Sequence, residues 1–295
     1  MPAQSRRVSS RRRGAGPRVL QRVVPAAALV IVASLTPRAA RPEQQPLWEL
    51  GLGAGALVLN DYRGANTTHA YPVPVPYFVY RGRFLQSDRD GLRGKLLHQE
   101  RIELNLSVNA TAPVRNGSAR AGMPDLRPTV EIGPSLNAHL WRSADSRARL
   151  DLRLPARAAF TLEAHPHGIG WFYAPHLNLD LAQYASPTGW KLGLLSGPLF
   201  AQRRYDDYFY SVAPQYASPT RPSYAAPGGY AGTQVLVSLS RRFQNHWIGA
   251  YLRHDSLADA AFAASPLVKR DSYWSGGFAV AWLIRQSSRL VESED

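Results

Sequence analysis

Residues Arg101 to Ala110 read RIELNLSVNA. In an extended chain, successive side chains point to opposite faces. Ile102, Leu104, Leu106, Val108 and Ala110 therefore share one face, and Glu103, Asn105, Ser107 and Asn109 the other. The same period of two runs through Val130 to Leu140, where Val130, Ile132, Pro134, Leu136, Ala138 and Leu140 alternate with Glu131, Gly133, Ser135, Asn137 and His139. It returns from Leu150 to Phe160, with Asp151, Arg153 and Arg157 on the polar face, and from Phe172 to Leu181, with Asn178 and Asp180 there. A soluble sandwich also alternates, apolar face inward. Strands of about 10–14 residues are, however, longer than soluble sheets usually use, and they match the tilted span of a bilayer. Aromatic residues near strand ends (Trp48, Trp141, Trp171, Tyr173, Trp190, Trp247, Trp274, Trp282) have the placement of an interfacial girdle. Glu, Asp, Arg and His at several levels of the polar faces suit a wet interior. The expected fold is all-β: a transmembrane antiparallel up-and-down β-barrel with its apolar side outward.

Working outward, strands are expected at 48–58, 71–80, 83–88, 91–97, 101–110, 128–141, 147–161, 170–181, 189–200, 229–242, 246–256 and 272–284. That makes 12 strands, or 10 if the pair 83–88 and 91–97 does not cross the membrane. Odd-numbered connections are mostly long and even-numbered ones short, the pattern of long outer loops and short periplasmic turns. An even count returns both ends to the periplasm. Barrels hide backbone groups by closure, so strand 272–284 is expected to pair with 48–58. Within the last strand, Trp274, Phe278, Val280, Trp282 and Ile284 are expected to face lipid. Gly277, Val280 and Trp282 form a candidate signal for the outer-membrane barrel assembly machinery.

The formal charge of +14 invites a nucleic-acid reading until it is located. Arg6, Arg7, Arg11, Arg12, Arg13, Arg18, Arg22 and Arg38 all precede residue 41, in a stretch without acids; the rest holds 27 basic against 21 acidic residues, a balance of +6. Nucleic acid is not an expected partner. The basic stretch leads into the apolar run Val23 to Leu35, VVPAAALVIVASL, too short for a comfortable transmembrane helix and ordered like an export signal. Residues 1–40 are accordingly expected to be a signal peptide, and 41–295 a barrel with a short periplasmic tail at 285–295. The absence of cysteine removes disulfides, thiolate metal sites and thiol catalysis.

Five stretches carry a family likeness: Trp48 to Arg63 (WELGLGAGALVLNDYR), Pro76 to Gly82 (PYFVYRG), Gly170 to Pro175 (GWFYAP), Gly197 to Val212 (GPLFAQRRYDDYFYSV) and Ser265 to Arg270 (SPLVKR). In these the chain resembles the MipA/OmpV family of outer-membrane proteins. The resemblance implies a β-barrel of the bacterial outer membrane. For the family's namesake it implies a scaffold joining a lytic transglycosylase to a murein synthase.

No catalytic, cofactor or metal site is expected. His254, Asp255 and Ser256 are consecutive in a strand and cannot converge as a triad. His165 and His167 read as solvated loop residues, and His176 joins no evident ligand set. The segment around Arg204, Tyr205, Asp206, Asp207, Tyr208 and Tyr210 is a candidate outer-loop interaction surface, since loops hold binding residues and Tyr and Arg favour interfaces. Glu103, Glu131, Asp151, Arg153, Arg157 and Asp180 are candidate lumen charges, expected to form a buried ion network rather than a filter. Gly51, Gly53 and Gly55 alternate within a strand, where glycine permits close packing or a bend. The function expected is a non-enzymatic outer-membrane scaffold recruiting periplasmic murein-remodelling enzymes; the alternative is a narrow channel or transporter for small solutes.

Overall fold

The computed structural model describes residues 43–293 apart from 82–84, 89–90, 95–96, 100–101, 116, 146 and 183–188. The expected signal peptide, 1–40, lies outside the described residues. In chain order the strands are β1 (Glu43–Pro46), β2 (Trp48–Asn60), β3 (Thr68–Arg81), β4 (Leu85–Asp88), β5 (Gly91–Gly94), β6 (Leu97–Gln99), β7 (Ile102–Thr111), β8 (Thr129–Arg142), β9 (Ala148–Thr161), β10 (Gly168–Tyr173), β11 (His176–Ala182) and β12 (Trp190–Ala201). Helix α1 (Arg203–Tyr210) follows, then β13 (Gly229–Arg242), β14 (His246–Ser256), β15 (Ser272–Gln286) and β16 (Leu290–Ser293). Every expected strand has its counterpart. The strand expected at 170–181 is interrupted at Ala174 and Pro175 into β10 and β11, which together bridge β9 and β12. The described residues of β4 and β5, four in each, pair with one another from Leu85 opposite Gly94 to Asp88 opposite Gly91. Among the described residues ten strands are long, with β10 and β11 counted as one, and β4 and β5 lie between β3 and β7.

Every described pairing is antiparallel, and from β7 to β15 the long strands pair with their neighbours in sequence, β10 and β11 together filling one place. The last long strand pairs with the first: Gly276 lies opposite Val58, Phe278 opposite Ala56 and Trp282 opposite Leu52. β5 runs beside β7 and brings the two ends of the sheet together. At the turn end, β1 and β16 form a separate two-stranded ribbon, so the tail does not trail away but folds back on the residues preceding β2.

The interior is polar and the exterior apolar. Val108, Leu136, Leu252 and Phe278 are among the exposed large apolar residues, whereas Glu131, Asp151 and Asp255 are 1% exposed. Such an inversion would be ruinous in water and is what hydrocarbon requires. No helix among the described residues is long and apolar enough to cross a membrane. Trp141, Trp171, Trp274 and Trp282 stand exposed on the outer face. Trp247 departs from the expected girdle: its register partner Ala281 is fully buried and its ring lies 6.1 Å from that of Tyr77, so it points into the lumen.

The alternating glycines make a corner. A Cβ on Gly51 or Gly53 would strike the backbone of Trp282 or Val280. Because β2 lacks those carbons, β3 and β15 approach each other across it, and the wall turns sharply there.

Candidate functional site

All the long connections lie at one end of the barrel, where they pack into a core of their own. Tyr210 stacks on Phe262 with ring centroids 3.7 Å apart, and Tyr205 sits 5.0 Å from Phe172 and 5.1 Å from Phe209. Leu257, Phe262 and Leu267 are at most 1% exposed. Truncating one such residue costs roughly 2–5 kcal/mol.

Hydrogen bonds tie the loops to one another. The Tyr62 hydroxyl donates to the Leu267 carbonyl at 2.8 Å, the Tyr210 hydroxyl to the Arg63 carbonyl at 3.0 Å, and Ser265 Oγ to the Tyr210 carbonyl at 2.6 Å. Gly64, at φ +88°, offers its carbonyl to the amides of Lys269 and Arg270. Arg120, from the loop after β7, donates to the Phe209 carbonyl at 2.9 Å. The stretches NDYR, RRYDDYFYSV and SPLVKR, far apart in sequence, therefore meet as one plug. Arg63, Arg120, Phe262 and Leu267 are its missed members: no periodicity marks a loop residue as buried. Arg63 and Leu267 fall in the motif-like stretches NDYR and SPLVKR, which was the available signal; Arg120 and Phe262 lie outside any such stretch.

The six residues of the candidate interaction surface divide between two faces. Residues 203–210 form α1 rather than an open loop, and helical spacing turns Tyr205, Asp206 and Tyr210 into the plug, at 7%, 0% and 3% exposed. Arg204, Asp207 and Tyr208 face outward and line an open hollow of about 540 Å³ with Asp125, Arg127 and His167. Asp207 faces Arg203 at 3.8 Å.

The Tyr205 hydroxyl donates to Glu131 at 2.8 Å, joining plug to wall; burial, reinforced by that carboxylate, holds the phenol well above its usual range. Asp206 has no such partner. Neither of its carboxyl oxygens finds a hydrogen bond among the described residues. Burial pushes its pKa up to about 7 against the pull of the Arg63 cation, with Asp207 adding to the rise.

The candidate lumen charges form two networks. Near the plug, Glu131 accepts from Arg157 at 2.9 Å and from Asn109 at 3.2 Å. Nearer the turns, His139 lies between Asp151 at 2.8 Å and Glu103 at 3.5 Å. Arg149 reaches Asp151 at 3.1 Å and Asp180 at 3.3 Å, and Arg153 stands 3.7 and 3.8 Å from the same two carboxylates. Each charge faces an opposite one, as a structural network requires. A further cluster went unforeseen: Asp255 takes Arg63 at 3.2 Å and Arg253 at 2.7 Å. That use of Asp255, with His254 on the outer face beside Trp274 at 4.7 Å, removes the miniature triad.

His167 bonds Glu163 at 3.1 Å on the surface, and His176 bonds the Ala174 carbonyl at 2.7 Å. Among the described residues no group of three metal-ligating side chains gathers. Of the candidate assembly signal, Trp282 is 55% exposed on the outer face. Val280 shares that face, and Gly277 lies opposite Leu57 at the seam with β2.

Comparison with known proteins adds one firm relation. Residues 52–284 match the family described as MltA-interacting protein MipA. No curated protein matches the chain. Among solved structures, a chain titled bacterial polysaccharide outer membrane secretin aligns at 9% identity, over 80% of this chain and 99% of its own, with a TM-score of 0.39.

Proposed function

Because this chain belongs to the MltA-interacting protein MipA family, we propose that it is a non-enzymatic scaffold of the bacterial outer membrane that recruits periplasmic murein-remodelling enzymes, a lytic transglycosylase and with it a murein synthase. The observation that carries the reading is the plug. A mouth packed with buried side chains, Leu257, Phe262 and Leu267 among them at most 1% exposed, suits a protein that presents surfaces better than one that passes solutes along its axis. The lumen charges point the same way, since they are spent on one another.

With the loops outside the cell, the face left to the periplasm comprises the short turns and the β1–β16 ribbon. Its register runs from Glu43 opposite Ser293 to Pro46 opposite Leu290. A two-stranded ribbon has open edges, and an extended peptide can add to one. Binding of a purified lytic transglycosylase to the barrel in micelles tests the proposal. Gln44→Pro, which removes an amide on the open edge of β1, with Val291→Pro, which removes a donor across the ribbon, should weaken binding, while Arg204→Ala on the opposite end should not. The channel alternative is reached if the barrel binds neither enzyme and conducts ohmically in planar bilayers.

A further inference from the structure

The hollow beside α1 draws its charged groups from three segments: Asp125 and Arg127 from the loop after β7, Glu163 and His167 from the turn between β9 and β10, and Arg204 and Asp207 from the helix itself. At about 540 Å³ it lies in the size range of small-molecule sites. Its carboxylates are held in place without being closed on a cation. Thr161 Oγ donates to Glu163 Oε1 at 2.8 Å, and His167 Nδ1 lies 3.1 Å from the same oxygen. The other oxygen, Oε2, stands 3.8 Å from Arg127 Nε. Ser211 Oγ donates to Asp207 Oδ1 at 2.6 Å, while Oδ2 stands 3.8 Å from Arg203 Nε. A separation of 3.8 Å is longer than a hydrogen bond. Each carboxylate is thus anchored by one oxygen and presents the other to a guanidinium across a gap. The bonds from Thr161 and His167 also hold the Glu163 carboxyl below its usual range, so it is ionised at neutral pH.

The chemistry of the ligand follows from these gaps. Arg127, Arg203 and Arg204 balance Asp125, Glu163 and Asp207, three against three, so the hollow favours neither a bare anion nor a bare cation. A group that fits between a carboxylate and a guanidinium must donate to the first and accept from the second. A hydroxyl does both, and bonds to ionised partners are the strong ones. Tyr208 supplies a fixed ring: its hydroxyl accepts from Arg127 N at 2.8 Å, and its ring meets that of Phe209 at 4.9 Å and 90°. An aromatic surface of this kind suits the C–H face of a sugar ring. The setting decides where such a sugar comes from. Phe160, Leu162 and Trp171, within two residues of the lining Thr161 and Ile169, are exposed on the outer face. Aromatic residues at strand ends mark the membrane interface, so the hollow opens at the height of lipid heads.

We propose that the hollow binds the uncharged sugar head of a glycolipid in the outer leaflet. Ring hydroxyls bridge Glu163 to Arg127 and Asp207 to Arg203, the apolar face of one sugar lies on Tyr208, and the acyl chains run along the outer wall past Leu162 and Trp171. Chains held against that wall keep the head beside the hollow, which raises its effective concentration over that of a free sugar. The site rests on the loops facing out of the cell. It is independent of the scaffold role, which uses the turns and the ribbon at the other end.

The experiment titrates the full mature barrel, in micelles of dodecyldimethylamine oxide, with digalactosyldiacylglycerol. Native mass spectrometry counts the bound lipid, and hydrogen exchange over residues 162–169 reports where it sits. Phosphatidylglycerol is the anionic comparison; digalactosylglycerol, the same head without chains, is the soluble one. The glycolipid should slow exchange over 162–169 and bind more tightly than either comparison. Glu163→Gln and Asp207→Asn should each weaken it about tenfold, as the loss of one bond to a charged group does. Arg270→Ala, an exposed residue of the loop before β15, should leave binding unchanged, and heat-modifiable migration reports that each variant is folded. Phosphatidylglycerol binding as tightly as the glycolipid overturns the proposal. So does glycolipid binding that both Glu163→Gln and Asp207→Asn leave intact, or that leaves exchange over 162–169 unaltered. Digalactosylglycerol binding as tightly as the glycolipid overturns the lipid-borne head in favour of a soluble glycan.

Discussion

Asp206→Asn separates the electrostatics of the plug from its packing. The Asp206 carboxyl is fully buried, and burial pushes its pKa up to about 7 from the usual 3.8. For an acid whose folded pKa is raised, the folded state holds the proton through a window in which the unfolded chain has released it. Stability therefore falls as pH rises from about 4 to about 7, and is level outside that window. At about 1.4 kcal/mol for each factor of ten, the displacement corresponds to about 4 kcal/mol. Asparagine has the shape of the carboxyl and never ionises. Any loss it causes through its amide is the same at every pH, so the informative quantity is how the difference between variant and parent changes. That difference should move in favour of the variant by about 4 kcal/mol between pH 4 and pH 8. Hydrogen exchange of the α1 amides, corrected for intrinsic rates, reads the free energy of opening the plug. A difference that stays constant from pH 4 to pH 8 would refute the account, because it would mean that the carboxylate is solvated or paired when the plug is closed.

Other outcomes follow from the same structure. Leu136→Arg, on the outer face midway along β8 and 41% exposed, should destabilise the barrel by about 2–4 kcal/mol; Asn109→Arg, beside Glu131 in the lumen, should cost far less in the same urea titration. Tyr205→Phe leaves Glu131 without its link to the plug and should cost about 1–3 kcal/mol of plug stability, seen as faster exchange in α1 with the strands unchanged. Trp282→Asp should be exported but poorly inserted, measured as loss of the heat-modifiable band from membranes. The matched variant is Ala279→Asp on the half-buried lumen side, since Ala281 is 0% exposed and packs against Gly53; equal insertion of the two would remove the case for a signal in the last strand.

The sequence alone determined the barrel, because its signal is local and repeated. Alternation of side chains along RIELNLSVNA and its fellows sorts residues to two faces, and strand length sorts membrane from water. The pairing of β15 with β2 then follows from closure, and the bend at Gly51, Gly53 and Gly55 from the missing carbons. The paired lumen charges were legible for the same reason: each falls on the polar side of a periodic strand. Nothing of that kind marks the loops. Whether Asp206 faces solvent or core depends on α1 forming and on which of its sides meets Phe262 and Leu267, more than fifty residues on. Tertiary structure alone decided that RRYDDYFYSV, NDYR and SPLVKR meet as a plug, that Trp247 turns inward, and that Asp255 lies between Arg63 and Arg253.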